Sequence, residues 1–319
     1  MCGFVSLFQP DRRFDQNLLA AMGEDIKHRG PDAGGFLSEN GFASVFRRLA
    51  IIDPSSRSDQ PMTDDAVSIL FNGEIYNYLD LKENLIQCGA SFSTSSDTEV
   101  ILKGYKVWGP EVFHKLEGMF AIAIIDRNVG AAFIVRDPLG IKPLYLHKNG
   151  DLTVIASEVT PILRTCEPEP DVNALRELMT FGWASGTLSN YKNIKLIPRG
   201  HLLKLSLSSG DLVETTYCDA LLTLKNKSNV NKDVIKETLD NSIRSHTISD
   251  VGYSLQLSGG VDSSYLAAVC AQMSDAKLSS FSLTFEGKQF DESLYQQMVV
   301  DMYVLDHHRY NFSSRDYAD

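Results

Sequence analysis

The chain has 319 residues, enough for one large or two ordinary domains, and 43% of them are hydrophobic while 22% are charged. These fractions are typical of a folded globular protein and exclude a disordered chain, a collagen and a disulfide-rich miniprotein. The 30 lysines and arginines against 41 aspartates and glutamates give a net charge of -11, which repels phosphate backbones. We therefore predict no nucleic-acid partner.

The sequence shows no sign of a membrane segment or an export signal. No apolar run approaches the roughly 18 residues of a membrane helix, and the amino terminus lacks a basic segment followed by an apolar one. We therefore expect a cytoplasmic protein with no membrane partner. The cysteines are odd in number, scattered and without a C-x-x-C pair, which fits neither a disulfide framework nor a zinc site. Cys2 is set apart, because removal of Met1 makes it the first residue of the mature chain.

The first part of the chain alternates β-prone runs with helical periodicity. A strand is predicted at residues 2–8, and a helix follows from the apolar spacing of Phe14, Leu18, Leu19, Met22 and Ile26. Further strands are predicted at 66–71, 120–126, 131–136 and 152–157, and helices at 79–88 and 99–108. Runs of strands with helices in two groups predict a layered α+β domain. The stretch 165–231 is rich in proline, lysine, asparagine and serine and is predicted to be irregular.

The pattern changes near residue 232. Helices are predicted at 234–243, 264–273 and 291–303, and strands at 253–257, 278–285 and 308–312. Strand, helix, strand, helix, strand is the beginning of a parallel, doubly wound α/β sheet. His307 and His308 would point to opposite faces of the last strand, so we predict no metal site there. The predicted organisation is a domain over residues 2–205, a linker over 206–231 and a second domain over 232–319.

Cys2 is the first candidate for chemistry. A cysteine that begins a chain carries its own base, since a free α-amino group titrates near about 7.7 to 8.0. By itself the residue is more often a plain strand start, but polar clusters at the ends of predicted strands favour catalysis. Arg48 can grip a carboxylate, while Asn72 and Gly73 can present an amide and a backbone N–H to one point, as an oxyanion hole does. Asp97 opens a predicted helix, where an N-cap cluster is the structural alternative.

These clusters occur together with the segments HRGPD at 28–32, GMFA at 118–121 and RDPLGIKPLY at 136–145. In this order they resemble the glutaminase domain of class II glutamine amidotransferases, the amino-terminal nucleophile family, over nearly the whole first domain. The resemblance implies an αββα sandwich in which Cys2 attacks the glutamine side-chain amide and Asn72 and Gly73 stabilise the oxyanion. It also implies a glutamine pocket formed by Arg48, Leu49, Ala50, Ile51, Ile52, Asn72, Gly73, Glu74 and Asp97. In that pocket Arg48 would hold the α-carboxylate and Asp97 the α-ammonium.

The segment SGGVDSS at 258–264 follows a predicted buried strand and opens a helix. Backbone N–H groups and the helix dipole bind anions at such a place. The segment is neither a Walker A loop nor a dinucleotide fingerprint. Because it has no lysine to offset phosphate charge, a divalent cation such as Mg²⁺ is expected, and Asp262 is the nearest carboxylate.

This segment resembles the pyrophosphate-binding loop of ATP pyrophosphatases. Coupled to a glutaminase domain, it resembles the glutamine-hydrolysing asparagine synthetase family. The resemblance implies an ATP site formed by Leu257, Ser258, Gly259, Gly260, Asp262, Ser263 and Leu283, with Mg²⁺ at Asp262. The implied reaction uses ATP and glutamine-derived ammonia to amidate an acceptor carboxylate, for which aspartate is the leading candidate. A homodimer is left open.

The sequence departs from the family pattern at several points. Phe46 stands where the family usually has histidine, which predicts altered tuning of the glutamine pocket, and Val304 stands where it usually has glycine. The family's later SGEGADE segment does not occur in this sequence. The ATP-pyrophosphatase domain is therefore predicted to be incomplete, either as a fragment or as a short natural member, and its sheet is expected to expose apolar surface.

Two alternatives to asparagine synthesis stay open at this stage. The first is an amidotransferase of the same family that acts on another acceptor, such as a surface-polysaccharide sugar or a secondary metabolite. The second is a non-catalytic protein that binds glutamine and nucleotide as a regulator.

Overall fold

The structure is a computed structural model that describes residues 1–220, 231–273, 277–285 and 291–313. The chain divides into two units, Met1–Lys227 and Ser228–Asp319. None of the described helices is long and apolar enough to span a bilayer.

The first unit contains strands and helices in a layered order. Its strands are β1 (Gly3–Phe8), β2 (Ala33–Glu39), β3 (Phe42–Arg48), β4 (Met62–Asp64), β5 (Val67–Ile75), β6 (Gly118–Asp126), β7 (Ala131–Arg136), β8 (Tyr145–Asn149), β9 (Leu152–Ala156), β10 (Ile194–Leu196), β11 (His201–Ser206) and β12 (Leu212–Thr216). Its α-helices are α1 (Gln16–Asp25), α2 (Tyr78–Gln87), α3 (Asp97–Trp108), α4 (Val159–Ile162) and α5 (Val172–Phe181). Short 3-10 helices occur at Lys27–Arg29, Ser56–Ser58 and Gly109–Lys115.

The strands form two six-stranded sheets in the orders β10-β8-β9-β1-β3-β2 and β12-β11-β7-β6-β5-β4. Strand β1 is covered on both faces, as a strand inside a layered sandwich is, because all six of its residues are buried. Phe4 and Phe8 contribute to the apolar layer between the two sheets, while Val5 and Leu7 pack in the cluster that includes the inner residues of α1. A continuous apolar run with both faces covered is expected for such a strand.

Local periodicity predicted part of this unit correctly. Strands β1, β6, β7 and β9 and helices α2 and α3 lie where the sequence predicts them. Strand β5 begins where predicted but runs past the predicted end at 71 to Ile75, so Asn72 and Gly73 lie inside a strand and not at its end. The prediction of irregular structure over 165–231 is wrong, because α5, β10, β11 and β12 lie there. Strand β11 is held by antiparallel pairing with β7, a contact between distant parts of the chain that local pattern does not encode. The domain limits at 205 and 232 stay a prediction, and β12 lies within the segment assigned to the linker.

The second unit contains α6 (Lys232–His246), β13 (Leu255–Gln256), α7 (Val261–Met273), β14 (Ser279–Phe285), α8 (Ser293–Tyr303) and β15 (Asp306–Phe312). Its described strands pair in parallel in the order β13-β14-β15, as predicted. The helices and the sheet share an apolar cluster that includes Ile243, Leu257 and Ala267.

One face of this sheet is not covered by any other described part of the chain. Along β14, Ser280 and Ser282 are buried, whereas Phe281, Leu283 and Phe285 are 48%, 54% and 44% exposed. The expectation that this sheet exposes apolar surface is therefore confirmed.

Val304, one of the departures noted above, ends α8 in the left-handed conformation, with φ +53° and ψ +46°. A β-branched residue there clashes with its own backbone at a cost of about 1 to 2 kcal/mol, whereas glycine does not. We expect Val304→Gly to raise the free energy of unfolding by about 1 kcal/mol in urea titrations. The reciprocal control is Gly182→Val at the left-handed end of α5, which should lower the free energy of unfolding. Equal stability of Val304→Gly and wild type would contradict the expected strain.

Candidate functional site

The predicted glutamine residues meet at a single cleft of the first unit. Cys2 directly precedes β1, Arg48 ends β3, Asn72 and Gly73 lie on β5, and Asp97 begins α3. All of them line a cleft that encloses about 480 Å³ of space, part of it open to solvent. Strands β1 and β3 pair in one sheet and β5 belongs to the other, so the cleft draws its side chains from both layers.

The thiol of Cys2 is held against the segment that follows β3. Its Sγ accepts a hydrogen bond from the Leu49 N–H at 3.3 Å and lies 3.5 Å from the Leu49 carbonyl oxygen, to which it donates. Burial raises the pKa of the Cys2 thiol, and the Leu49 N–H opposes that shift only in part. The Cys2 carbonyl oxygen accepts from Arg29 Nε at 2.9 Å, and Arg29 is tied in turn to Glu158 at 2.9 Å. Main chain and thiol of Cys2 are therefore both fixed in place.

The amide of Asn72 is buried with no hydrogen-bond partner for either Nδ2 or Oδ1 among the described residues. A buried polar group left unpaired costs about 1 to 3 kcal/mol, so each such group needs an explanation. The cleft supplies one here, because Asn72 lines it together with Cys2. A ligand oxygen in the cleft would give the amide its missing partner.

Gly73 has no room for a side chain. A Cβ atom at this position would lie 2.2 Å from the Met119 carbonyl oxygen and 2.8 Å from the Phe120 Cα. Glycine is therefore required for the close pairing of β5 with β6, and its backbone lines the cleft beside Asn72.

Arg48 lines the cleft, but its guanidinium is engaged by the neighbouring loop. Its terminal nitrogens donate to the carbonyl oxygens of Ser55 and Ile52 at 2.9 and 3.2 Å and to Asp59 Oδ1 at 2.7 Å. The side chain of Arg48 is 6% exposed. Arg48 thus shapes the loop that forms one wall of the cleft, and its role toward a substrate carboxylate stays a prediction.

Asp97 is a buried carboxylate at the amino terminus of α3. It accepts a hydrogen bond from the Ile75 N–H at 3.2 Å, and the preceding Ser96 caps the helix by accepting from the Thr98 N–H at 3.1 Å. Burial raises the pKa of Asp97 to about 7, with the charge of Glu74 acting in the same direction. Near neutral pH this side chain is therefore poised to become a carboxylate when a cation arrives.

The raised pKa of Asp97 predicts how stability depends on pH. The folded state keeps the Asp97 proton up to a pKa of about 7, whereas an ordinary aspartate loses it near 3.8. The stability that Asp97 contributes therefore falls as pH rises between these two values. Relative to wild type, Asp97→Asn should therefore gain on the order of 4 kcal/mol in free energy of unfolding between pH 4 and pH 8. Denaturant titrations at each pH measure this difference, and a difference that does not change with pH would contradict the expectation.

Glu99, two positions further along α3, is the matched control. Burial acts to raise the pKa of Glu99, but hydrogen bonds from Thr94 and Ser93 outweigh it and lower the pKa. Its stabilising contribution is present above the ordinary glutamate pKa and is lost on acidification. Glu99→Gln should therefore lower stability at neutral pH, the opposite sign to Asp97→Asn.

The structure differs from the predicted pocket at a few positions. Leu49, Ile51, Ile52 and Glu74 line the cleft, but Ala50 does not, and its N–H donates to Asp32 at 2.9 Å. Phe46, whose place the family usually gives to histidine, is fully buried in the layer between the sheets and is not among the lining residues.

Sequence reasoning assigned no role to Met1, Gln60 and Lys142, which also line the cleft. Gln60 joins β5 to α3, since its amide bonds the Phe71 main chain and the Thr98 hydroxyl. Lys142 belongs to the RDPLGIKPLY segment, so the sequence already contained a motif that could have marked it as a candidate cleft residue.

The predicted nucleotide residues of the second unit surround the start of α7. Leu257, Ser258 and Leu283 line a cavity with about 1350 Å³ of space, partly open to solvent, on the uncovered face of the sheet. Gly259 and Gly260 form the adjoining loop, Asp262 and Ser263 belong to the first turn of α7, and none of the four lines that cavity.

The loop is internally braced. Ser258 Oγ lies 3.0 Å from Ser263 Oγ and accepts from the Gly260 N–H at 3.2 Å. Gln296, which sequence reasoning missed, donates through Nε2 to the carbonyl oxygens of Ser258 and Leu283, so it ties the loop to β14. Gly259 has φ +92°, a conformation that favours glycine.

Both units match known protein families. Residues 1–218 match the glutamine amidotransferase domain, and residues 234–319 match asparagine synthase. The chain belongs to the glutamine-hydrolysing asparagine synthetase family. Asparagine synthetase [glutamine-hydrolyzing] 1 of Bacillus subtilis is 36% identical over 92% of this chain and 47% of its own length. Asparagine synthetase [glutamine-hydrolyzing] 2 of the same organism is 31% identical over 86% of this chain and 39% of its own length. The chain therefore spans about half or less of these curated members of the family.

A solved structure of the allosteric regulatory enzyme of purine biosynthesis is similar to this chain, with a TM-score of 0.50 and 15% identity over 97% of this chain and 65% of that one. At this identity the likeness concerns the fold alone. The predicted fold class of this asparagine synthetase family member, an α+β amino-terminal-nucleophile (αββα) sandwich followed by a parallel α/β sheet, is confirmed.

Proposed function

We propose that this chain hydrolyses glutamine at Cys2 and, through its second unit, serves the ATP-dependent amidation of aspartate to asparagine. The observation that carries the glutaminase proposal is the pairing, in one cleft, of the Cys2 thiol with the buried, unpartnered amide of Asn72. A nucleophile facing an unused hydrogen-bond donor is the arrangement that acyl transfer requires.

The proposed reaction starts once Met1 has been removed. The α-amine of Cys2 takes the thiol proton, and Sγ attacks the side-chain carbonyl carbon of glutamine. Asn72 Nδ2 and the Gly73 N–H donate to the resulting oxyanion. The tetrahedral intermediate collapses as the α-ammonium returns its proton to the leaving nitrogen, which departs as ammonia and leaves a thioester. Water then hydrolyses the thioester to glutamate and frees the thiol.

The rest of the cleft accounts for the choice of an amino acid. In the proposed complex Arg48 holds the α-carboxylate, Asp97 and Glu74 face the α-ammonium, and the backbone of the Leu49 to Ile52 segment forms the wall. Because burial raises the pKa of Asp97 to about 7, the KM for glutamine should fall as pH rises through that value.

The second unit is proposed to bind ATP and a divalent cation for adenylation of the acceptor. In that reaction the aspartate side-chain carboxylate attacks the α-phosphorus of ATP and pyrophosphate leaves; ammonia then displaces AMP to give asparagine. The Ser258 and Ser263 hydroxyls and the Gly260 N–H lie together at the start of α7, which suits phosphate oxygens. Asp262 is exposed beside them and fits a Mg²⁺ ion that takes its other oxygen ligands from phosphate and water. Bound there, Mg²⁺ would offset the phosphate charge.

A covalent trap tests the glutaminase proposal. The full chain is incubated with glutamine or with a diazo-ketone analogue of glutamine, then followed by glutamate and ammonia assays and by intact mass. We expect equimolar glutamate and ammonia, loss of Met1, and a single adduct on the peptide that begins with Cys2. Retained Met1 together with no ammonia release would overturn the proposal.

A separate assay tests the synthetase half. AMP and pyrophosphate are measured with ATP, Mg²⁺ and aspartate, and an ammonium salt replaces glutamine in a parallel reaction. We expect aspartate-dependent pyrophosphate release. Release that depends on a different acceptor, or none with any acceptor while glutamine is still hydrolysed, would overturn the asparagine assignment and leave the glutaminase in place.

A further inference from the structure

Lys142 is a buried cation in the glutamine cleft to which the proposed reaction gives no part. Its side chain lines the cleft and is 5% exposed. Among the described residues its ammonium makes a hydrogen bond with the Met1 thioether, at 3.3 Å from Sδ. A thioether is a weak acceptor, so this contact does not account for a desolvated charge.

The surrounding loop holds the main chain of Lys142 firmly. The buried carboxylate of Asp137 accepts from the backbone N–H groups of Leu139, Ile141 and Lys142 at 2.9 to 3.1 Å. Arg136 donates through Nε to the Lys142 carbonyl oxygen at 2.9 Å. Arg136 and Asp137 of the RDPLGIKPLY segment therefore fix the backbone of this loop. The side chain of Lys142 extends from that fixed backbone into the cleft.

Lys142 belongs to a mixed group of charges around the amino terminus. Arg29 and Lys142 act as cations on the amino-terminal amine, and Asp32 acts as an anion. Arg48 and Asp97 act on the Cys2 thiol. The charges that act on Lys142 itself are those of Glu74, Arg29, Cys2 and Asp137. Burial lowers the pKa of the Met1 α-ammonium, and burial also lowers the pKa of Lys142.

Arg29 differs from Lys142 in how it is used. The Arg29 guanidinium donates to the Cys2 carbonyl oxygen and to Glu158, so its charge is partly offset. The Lys142 ammonium, by contrast, bonds the thioether of Met1, a residue that we expect to be removed from the mature chain. After cleavage, its ammonium would be left facing the new α-amine and thiol of Cys2.

We propose that Lys142 is a positioning residue for the nucleophile, whose buried ammonium holds the amine and thiol of Cys2 in the state that has lost one proton. The inference rests on the proposed glutaminase function. A nearby positive charge disfavours an α-ammonium and favours a thiolate, so both effects lower the pH at which Cys2 becomes reactive. At an effective dielectric constant of about 20, one charge several ångströms away shifts such an equilibrium by about one pH unit or more.

The test is the pH dependence of kcat at saturating glutamine in Lys142→Met, which keeps the length of the side chain and removes its charge. We expect the acidic limb to move up by about one pH unit, so that activity below the limb falls about tenfold while the alkaline plateau stays near wild type. Lys142→Arg, which keeps the charge, should restore the wild-type limb. Lys148→Met is the matched control, because Lys148 bonds Gly210 and Thr153 outside the cleft.

A second readout separates this inference from the proposed function. Alkylation of Cys2 by iodoacetamide is followed by mass spectrometry across the same pH range, without glutamine, and the thermal midpoint of each variant confirms folding. A shifted alkylation profile in Lys142→Met supports the inference even if wild type fails to hydrolyse glutamine. Coincident alkylation profiles in folded wild type and Lys142→Met would overturn it, whether or not glutamine is hydrolysed.

Discussion

Replacing Cys2 with alanine is expected to reduce glutamine hydrolysis by at least about 10⁴-fold, because no other group in the cleft can form the thioester. Glutamine should still bind, since Arg48, Asp97 and Asn72 line the cleft independently of the thiol. Alanine is small, as cysteine is, so removal of Met1 should proceed in both proteins. Ammonia release and glutamine binding by calorimetry measure the two properties separately.

Cys88→Ala is the control for this experiment. Cys88 is a free, exposed cysteine at the end of α2 and should be replaceable without effect on the rate. Equal ammonia release from Cys2→Ala and wild type would show that glutamine is not hydrolysed by Cys2 in this cleft. A folded Cys2→Ala protein that no longer binds glutamine would instead assign Cys2 a structural part in the pocket.

Asn72→Ala is expected to lower kcat by about 100- to 1,000-fold, the usual loss when one oxyanion donor is removed. Its effect on stability should be unusual. Because both atoms of the Asn72 amide are buried without a partner, removing them relieves a desolvation penalty that offsets the cavity left behind. We expect the free energy of unfolding to stay within about 1 kcal/mol of wild type.

Asn77→Ala is the control for this experiment, because the same residue type is replaced where its amide is hydrogen-bonded and lies outside the cleft lining. Asn77 follows β5 and is fully engaged, donating to the Lys115 carbonyl oxygen at 2.9 Å and accepting from the Glu117 N–H at 3.1 Å. Its replacement should cost about 1 to 2 kcal/mol of stability and leave kcat unchanged. A large loss of stability in Asn72→Ala, with a proportionate loss of activity, would mean that Asn72 serves the fold and not the oxyanion.

The parts of the fold that sequence predicted are those with a strong local pattern. Helix α3 shows a cap at Ser96 and apolar residues at helical spacing, and β1 is a short apolar run. Strand β10 has three residues and pairs with β8 about fifty positions earlier, so its stability comes from a partner that local periodicity does not reveal. Helix α5 lies within a stretch whose composition suggests a loop.

The candidate site shows the same division. The order of the polar clusters and their resemblance to a known family singled out Cys2, Asn72 and Gly73, and the structure places all three in one cleft. Lys142 was not given a role, because its contact with Met1 joins residues 141 positions apart. The engagement of Arg48 by Asp59 also escaped prediction, since an arginine at a strand end offers the same donors to a loop as to a substrate.

The division of the cleft between two sheets sets a geometric requirement on the whole first unit. Cys2 adjoins one layer, and Asn72 and Gly73, the proposed oxyanion donors, lie on the other, so the apolar packing between the layers sets how these groups are placed relative to one another. Phe4, Phe46, Leu70 and Ala121 are part of that packing. Side chains that never meet glutamine therefore act as a spacer, and a change of volume there should alter turnover before it alters folding, since acyl transfer tolerates little misplacement.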